Sequence, residues 1–117
     1  MLSITEAKSL ILEKYGFTVI EKPDLGKTEK GETIKGLAYT DREEIIIRAD
    51  LDDSMKLIAI AHETGHLIDD RQNDVAWLHS SGLKLETRAW INGLDIAAEM
   101  GIAKEYKEYW KIRLNKI

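Results

Sequence analysis

Apolar positions along the chain change spacing several times, and each change marks an element. Ile4, Ala7, Leu10, Ile11 and Tyr15 recur at three- and four-residue steps, which predicts a helix over residues 4–15 with one apolar face. Ser3 and Glu6 supply a capping box at its start, and Gly16 supplies its stop. Phe17-Thr18-Val19-Ile20 then reads as a short extended segment. Residues 22–35, KPDLGKTEKGETIK, hold the only proline and read as a surface loop, a connector rather than a binding loop. Residues 34–40 and 44–48 flank Asp41-Arg42-Glu43 and predict an antiparallel hairpin. Ile45-Ile46-Ile47 is β-branched and apolar on both faces, the pattern of a covered strand.

The helical period then returns. Asp50, Asp52, Asp53 and Ser54 offer caps for a helix reaching about residue 69, along which Leu57, Ile58, Ala61, Gly65 and Ile68 keep step. A polar connection over residues 72–81 ends at Gly82. A further helix is predicted over residues 83–100, stopped by Gly101, and a final amphipathic helix over residues 102–116. Helix, small antiparallel sheet, then three helices is a segregated order, so the expected class is α+β rather than doubly wound.

Composition narrows the function. A length of 117 residues is one domain's worth, so residues 1–117 are expected to form a single domain. Lys plus Arg number 17 against 21 Asp plus Glu, a formal charge of −4, which gives no global field for wrapping nucleic acid. The lysines at 104, 107, 111 and 116, with Arg113, are interleaved with Glu105 and Glu108 and read as a solvated helix face. Without cysteine there is no disulfide, thiolate metal site or thiol nucleophile, so any metal site must draw on His, Asp and Glu. The longest purely apolar run, residues 57–61, is far short of the roughly 20 residues a membrane span needs. The first residues carry neither the basic nor the apolar stretch of a signal peptide, and the expected location is the cytoplasm, away from membranes.

Two of the three histidines bracket a glutamate in His62-Glu63-Thr64-Gly65-His66, an H-E-x-x-H inside the predicted third-quarter helix. Positions i and i+4 lie one turn apart on one face, with Cβ atoms roughly 5–6 Å apart, so two imidazoles can converge on one ion. Glu63 lies about 100° further round and is poorly placed to be a ligand beside them. It is well placed to act as a general base on water at the ion. Gly65 is unexpected in mid-helix, where glycine costs about 1 kcal/mol relative to alanine, and a close approach by another element would account for it.

Open zinc sites have three protein ligands. Asp69 and Asp70 sit at the predicted helix end, and His79 lies in a polar connection. Glu86 is the preferred third ligand. It shares a stripe with Ala89, Trp90, Gly93, Ala97 and Met100, so it points to the apolar side of the next helix, where a carboxylate needs a partner or a metal. A metzincin would need glycine at 69 and histidine at 72, where this chain has Asp69 and Gln72.

An HExxH followed by a glutamate on the next helix is the gluzincin arrangement. HETGH, the E-x-x-A of Glu86-Thr87-Arg88-Ala89 and the preceding hairpin GLAYTDREEIIIRADL resemble the ImmA/IrrE family of small metallopeptidases over residues 34–100. The alanine, leucine, methionine and proline run common after the family's glutamate is replaced by Asp95-Ile96-Ala97-Ala98-Glu99-Met100-Gly101, and no helix-turn-helix region is present. The resemblance implies a minimal zincin-like fold with one Zn2+ held by His62, His66 and Glu86. It also implies a role in phages or mobile elements, with a transcriptional repressor as the protein substrate; the acidic charge balance argues against direct contact with nucleic acid.

The chemistry expected of the pattern is hydrolysis of a peptide bond, with Glu63 taking a proton from the attacking water and passing it to the leaving nitrogen. A second electrophile would stabilise the oxyanion, and His79 and Tyr39 are the residues to consider, although a loop histidine and a strand tyrosine also have ordinary structural readings. Substrate peptides at such sites align along an exposed sheet edge, which one strand of residues 34–48 would provide. The alternative is a metal-stabilised binding regulator that controls a repressor without cleaving it. The intact Glu63 favours hydrolysis, because a purely structural site has no use for a base. Trp77, Trp90 and Trp110 are expected to pack rather than bind.

Overall fold

A computed structural model of the chain describes residues 1–72 and 82–114. Among these residues the elements are helix α1 (Ile4–Tyr15), strands β1 (Thr18–Lys22), β2 (Gly36–Tyr39) and β3 (Glu44–Arg48), and helices α2 (Asp53–Gln72), α3 (Gly82–Glu99) and α4 (Ala103–Leu114). The class is α+β, as expected. The predicted caps do what their chemistry suggests. Ser3 Oγ accepts from the Glu6 amide at 3.1 Å while Glu6 Oε1 accepts from the Ser3 amide at 3.0 Å. Gly16 (φ 77°) and Gly101 (φ 78°) close α1 and α3 in the left-handed conformation that favours glycine. Of the four candidates before α2, Asp52 is the cap, its carboxylate accepting from the Met55 amide at 2.9 Å.

The sheet corrects one expectation. β2 and β3 form the predicted antiparallel hairpin, but the sheet as a whole is mixed, with strand order β1-β3-β2. β1 lies parallel to β3, Val19 opposite Ile45 and Glu21 opposite Ile47. β3, whose three isoleucines are buried, sits centrally and is paired on both edges. A parallel neighbour needs a long connection, and residues between β1 and β2 provide it.

That connection is more than a spacer. Gly26 donates to Asp24 Oδ1 at 2.9 Å, Thr28 donates its amide to the Glu32 carbonyl at 2.8 Å, and Lys27 and Thr33 form a β-bridge. The segment is thus a small folded flap rather than a plain connector.

The core lies between the sheet and α2, with α1, α3 and α4 completing it. Phe17, Ile45, Ile47, Leu57, Ile60, Ile96, Met100 and Tyr106 are fully buried. α2 carries buried residues from Leu57 to Asp69 because it is covered by the sheet on one side and by α3 on another. Gly65 explains itself here. A Cβ at Gly65 would stand 2.1 Å from the Ala89 carbonyl oxygen, and one at Gly93 would stand 2.6 Å from the Ala61 carbonyl oxygen. The two helices cross backbone to backbone at this pair of glycines.

Tyr106 locks α4 to that crossing. Its hydroxyl donates to the Trp90 carbonyl at 2.7 Å in a fully buried setting. Burial, with the carboxylates of Glu63 and Glu86, pushes its phenol up, so it stays a donor across the working pH range. Tyr106→Phe is expected to cost about 1 kcal/mol, the usual net value of one hydrogen bond, in a urea melt. An unchanged midpoint would mean that the bond contributes nothing.

Candidate metal centre

α2 and α3 bring His62, His66 and Glu86 together. The two imidazoles stack edge to face, with ring centroids 4.8 Å apart, as the one-turn spacing requires. Glu86, from the first half of α3, reaches across with one carboxylate oxygen on each ring. Oε2 lies 3.0 Å from His62 Nε2 and Oε1 lies 2.9 Å from His66 Nε2. The three ligand atoms lie within 4.8 Å of one another. Tetrahedral ligands about 2.0–2.1 Å from a common ion stand about 3.3 Å apart, so the set fits one ion with small side-chain adjustments. The donor set, two imidazole nitrogens and a carboxylate, is of the kind that open zinc sites use.

The ligands are held from behind. The Trp90 ring lies 4.1 Å from that of His62, and Trp90 is in turn packed by Tyr106, Tyr109 and Trp110. Trp90 and Trp110 therefore pack, as expected, and Trp90 does so directly against His62. The α2–α3 alignment has a second fastening, a 2.7 Å ion pair from Arg88 Nε to the buried Asp69. Asp69 thus joins the two helices and stands outside the ligand group.

Burial alone would raise the Glu86 carboxyl. The hydrogen bonds from His62 and His66 outweigh it and hold the group well below the usual carboxylate range. Burial also disfavours the His66 cation, but the Glu86 hydrogen bond and the Glu63 charge more than compensate and raise its pKa. Glu63 behaves oppositely. Burial dominates and pushes its carboxyl up, with the histidines opposing and the Glu86 charge assisting. Two carboxylates on adjacent helices are thereby driven apart in acidity, one fixed as an anion and the other made a better proton acceptor.

Glu63 is outside the ligand group and faces a cleft between α2 and β2. The cleft has two lobes. The larger, about 350 Å3, is lined by Lys35, Gly36, Met55, Ile58, Trp90 and Tyr109, among others, as well as by His62, Glu63 and Glu86. The smaller, about 280 Å3, runs along Gly36 to Thr40 beside Glu63, His66 and Glu86. β2 is an edge strand and forms one wall of both. Gly36 lets it come close, since a Cβ there would stand 3.0 Å from Glu63 Cγ.

The two residues considered as second electrophiles are not brought to this site by the described structure. Tyr39 carries the Arg42 guanidinium 4.2 Å from its ring centroid and lines neither lobe. His79 lies outside the described residues, as does Trp77. The tyrosine that does line the cleft is Tyr109, from α4. Its only signal in the chain is its place on the amphipathic last helix, three residues after the buried Tyr106. Residues 32–35 line the cleft as well, against their reading as a connector.

No described helix is long and apolar enough to cross a membrane. No known family model, curated protein or solved structure matches the chain.

Proposed function

We propose that the chain is a zinc-dependent endopeptidase of narrow specificity with a minimal zincin-like fold. The observation that carries this is the position of Glu63. It stands next to a His62, His66 and Glu86 group that could hold a metal ion, belongs to no ligand set, and opens onto a cleft walled by an edge strand. A purely structural metal site requires neither the base nor the cleft.

His62, His66 and Glu86 would hold one divalent ion per chain. Bound there, the ion supplies a Lewis acid that acidifies water and polarises a carbonyl. Glu63, beside the ligand group and open to the cleft, accepts the water's proton and returns it to the leaving nitrogen. β2 positions the peptide. The amide of Arg48 donates to the Lys35 carbonyl at 2.9 Å, and Lys35, Leu37 and Tyr39 turn their main-chain groups toward β3. Gly36 and Ala38 therefore turn theirs outward to the cleft, free to pair with an added strand. Similarity to the ImmA/IrrE family supports a repressor or other regulatory protein as the target, in a phage or mobile element.

Purified protein, metal-loaded, should cleave such a repressor at one or a few bonds, and a chelator should stop it. General digestion of an unfolded protein such as casein should be slow. Release of the repressor from DNA without any cleaved product, by the parent and by Glu63→Gln alike, would replace this reading with that of a metal-stabilised binding regulator.

The ligand set has its own test. His62→Ala and His66→Ala should each lower metal affinity by more than about 100-fold, beyond the 10–100-fold usual for loss of an outer partner. Glu86→Gln should weaken binding as well. Full affinity in Glu86→Gln would show that the third ligand lies elsewhere. Affinity should fall as pH is lowered, because a ligand histidine must be neutral. The raised pKa of His66 means that the fall begins above the pH at which an ordinary imidazole, near 6.5, takes up its proton. Titration with zinc at stepped pH reads both effects.

A further inference from the structure

The larger lobe is lined by apolar side chains together with Lys35, and the two together describe a substrate. Met55 and Ile58, one to two turns before His62 on α2, line it with Trp90. Besides Glu63 and Glu86, the charged residues lining the lobe are Glu32, Lys35 and Arg113. Arg113 and Glu32 face each other at 3.3 Å and neutralise one another, and Glu86 is engaged by the two histidines. Lys35 is different. Its ammonium sits 5.9 Å from the centroid of the Tyr109 ring, and among the described residues no carboxylate lies within ion-pair distance of it. Among the described residues Lys35 is thus a cation of the lobe's lining with no ion-pair partner.

Direction follows from β2. The strand runs from Gly36 to Tyr39, with Lys35 before it lining only the larger lobe, and Ala38 and Thr40 toward its end lining only the smaller. A guest strand paired to the outward groups of Gly36 and Ala38 is more stable antiparallel, so it runs from the Thr40 end toward the Lys35 end. The segment after the scissile bond then lies in the larger lobe.

We propose that Lys35 is a specificity-determining residue, and that the cleft selects an apolar side chain just after the scissile bond followed within one or two residues by a carboxylate. The carboxylate is either an Asp or Glu side chain or the free end of the peptide. This deepens the peptidase reading and rests on it for the position of the bond.

The test pairs two measurements on one degenerate peptide set with Asp, Asn or Lys downstream of a fixed Leu, each made with a free and an amidated C-terminus. Cleavage is measured with the zinc-loaded parent, and binding is measured with zinc-loaded Glu63→Gln. Asp should exceed Lys about tenfold, the scale of a partly exposed charge contact with its sign reversed. Lys35→Glu should invert the order with zinc content unchanged. If only free C-termini are preferred, the carboxylate is the chain end; if amidation has no effect, it is the side chain. Cleavage with no charge preference, or one that Lys35→Glu leaves intact, overturns the inference and spares the peptidase. Binding with the stated preference but no cleavage by the parent overturns the peptidase and keeps Lys35 as the selector of a bound segment. Neither binding nor cleavage overturns both.

Discussion

Glu63→Gln is expected to leave a folded, metal-loaded protein that hydrolyses its substrate about 10²–10⁴-fold more slowly, the usual worth of a positioned general base. The reasoning is geometric. The ligand atoms come from His62, His66 and Glu86, so the ion does not need Glu63. Glutamine keeps the shape of the side chain, including its fit against Gly36, where a Cβ would already stand 3.0 Å from Cγ. In the metal-free protein it also removes a carboxyl whose ionisation burial opposes, so the metal-free fold should lose nothing and gain slightly at neutral pH. The sign is that of a carboxyl with a raised folded-state pKa. Its ionised form costs stability above the unfolded pKa, and the neutral amide avoids that cost. Metal analysis and single-turnover rates on the same preparation separate the two properties. Equal loss of metal and activity would make Glu63 part of the metal site, and undiminished hydrolysis would place the base elsewhere.

Gly65→Ala is expected to damage the fold and the metal centre together. The added methyl would meet the Ala89 carbonyl oxygen at 2.1 Å and the Gly93 nitrogen at 3.1 Å, both main-chain atoms within a helix that cannot turn aside. Relief requires α2 and α3 to separate, at a cost of about 3 kcal/mol or more, the upper part of the range for overpacking a core. A domain with a total stability of roughly 5–15 kcal/mol would show this plainly in its urea midpoint. Separation also withdraws Glu86 from the two histidines, so metal affinity should fall in the fraction that folds. Gly31→Ala is the control. Its backbone is left-handed (φ 80°) but a Cβ there meets nothing within 4 Å, so it should cost only about 1–2 kcal/mol and leave metal binding alone. A Gly65→Ala protein as stable as the parent would mean that the helix crossing is looser than it stands here.

The same glycine shows how far local patterns reach. Its oddity in mid-helix was readable, because propensity is a property of the residue and its element. Its reason was not, because Ala89 lies on another helix. Likewise the His62 and His66 pair follows from the helical period alone, and the choice of Glu86 follows from a carboxylate on an apolar stripe. Both are statements about one helix at a time, and tertiary contact has only to bring the two faces together.

What escaped the pattern were relations between segments. A short apolar strand such as β1 carries no mark of which neighbour it will join or in which direction, and only the assembled sheet shows it parallel to β3. A charged, glycine-bearing loop looks the same in sequence whether or not it folds back, and only the Lys27–Thr33 bridge and its placement make residues 32–35 a wall of the cleft. Tyr39 and Tyr109 are equally plausible as isolated tyrosines. Packing gives the first to Arg42 and the second to the cleft. Period and capping act over one turn or one strand and are written in neighbouring residues. Sheet order, helix crossing and the shape of a cleft depend on which distant surfaces exclude water together, and no stretch of neighbouring residues records that.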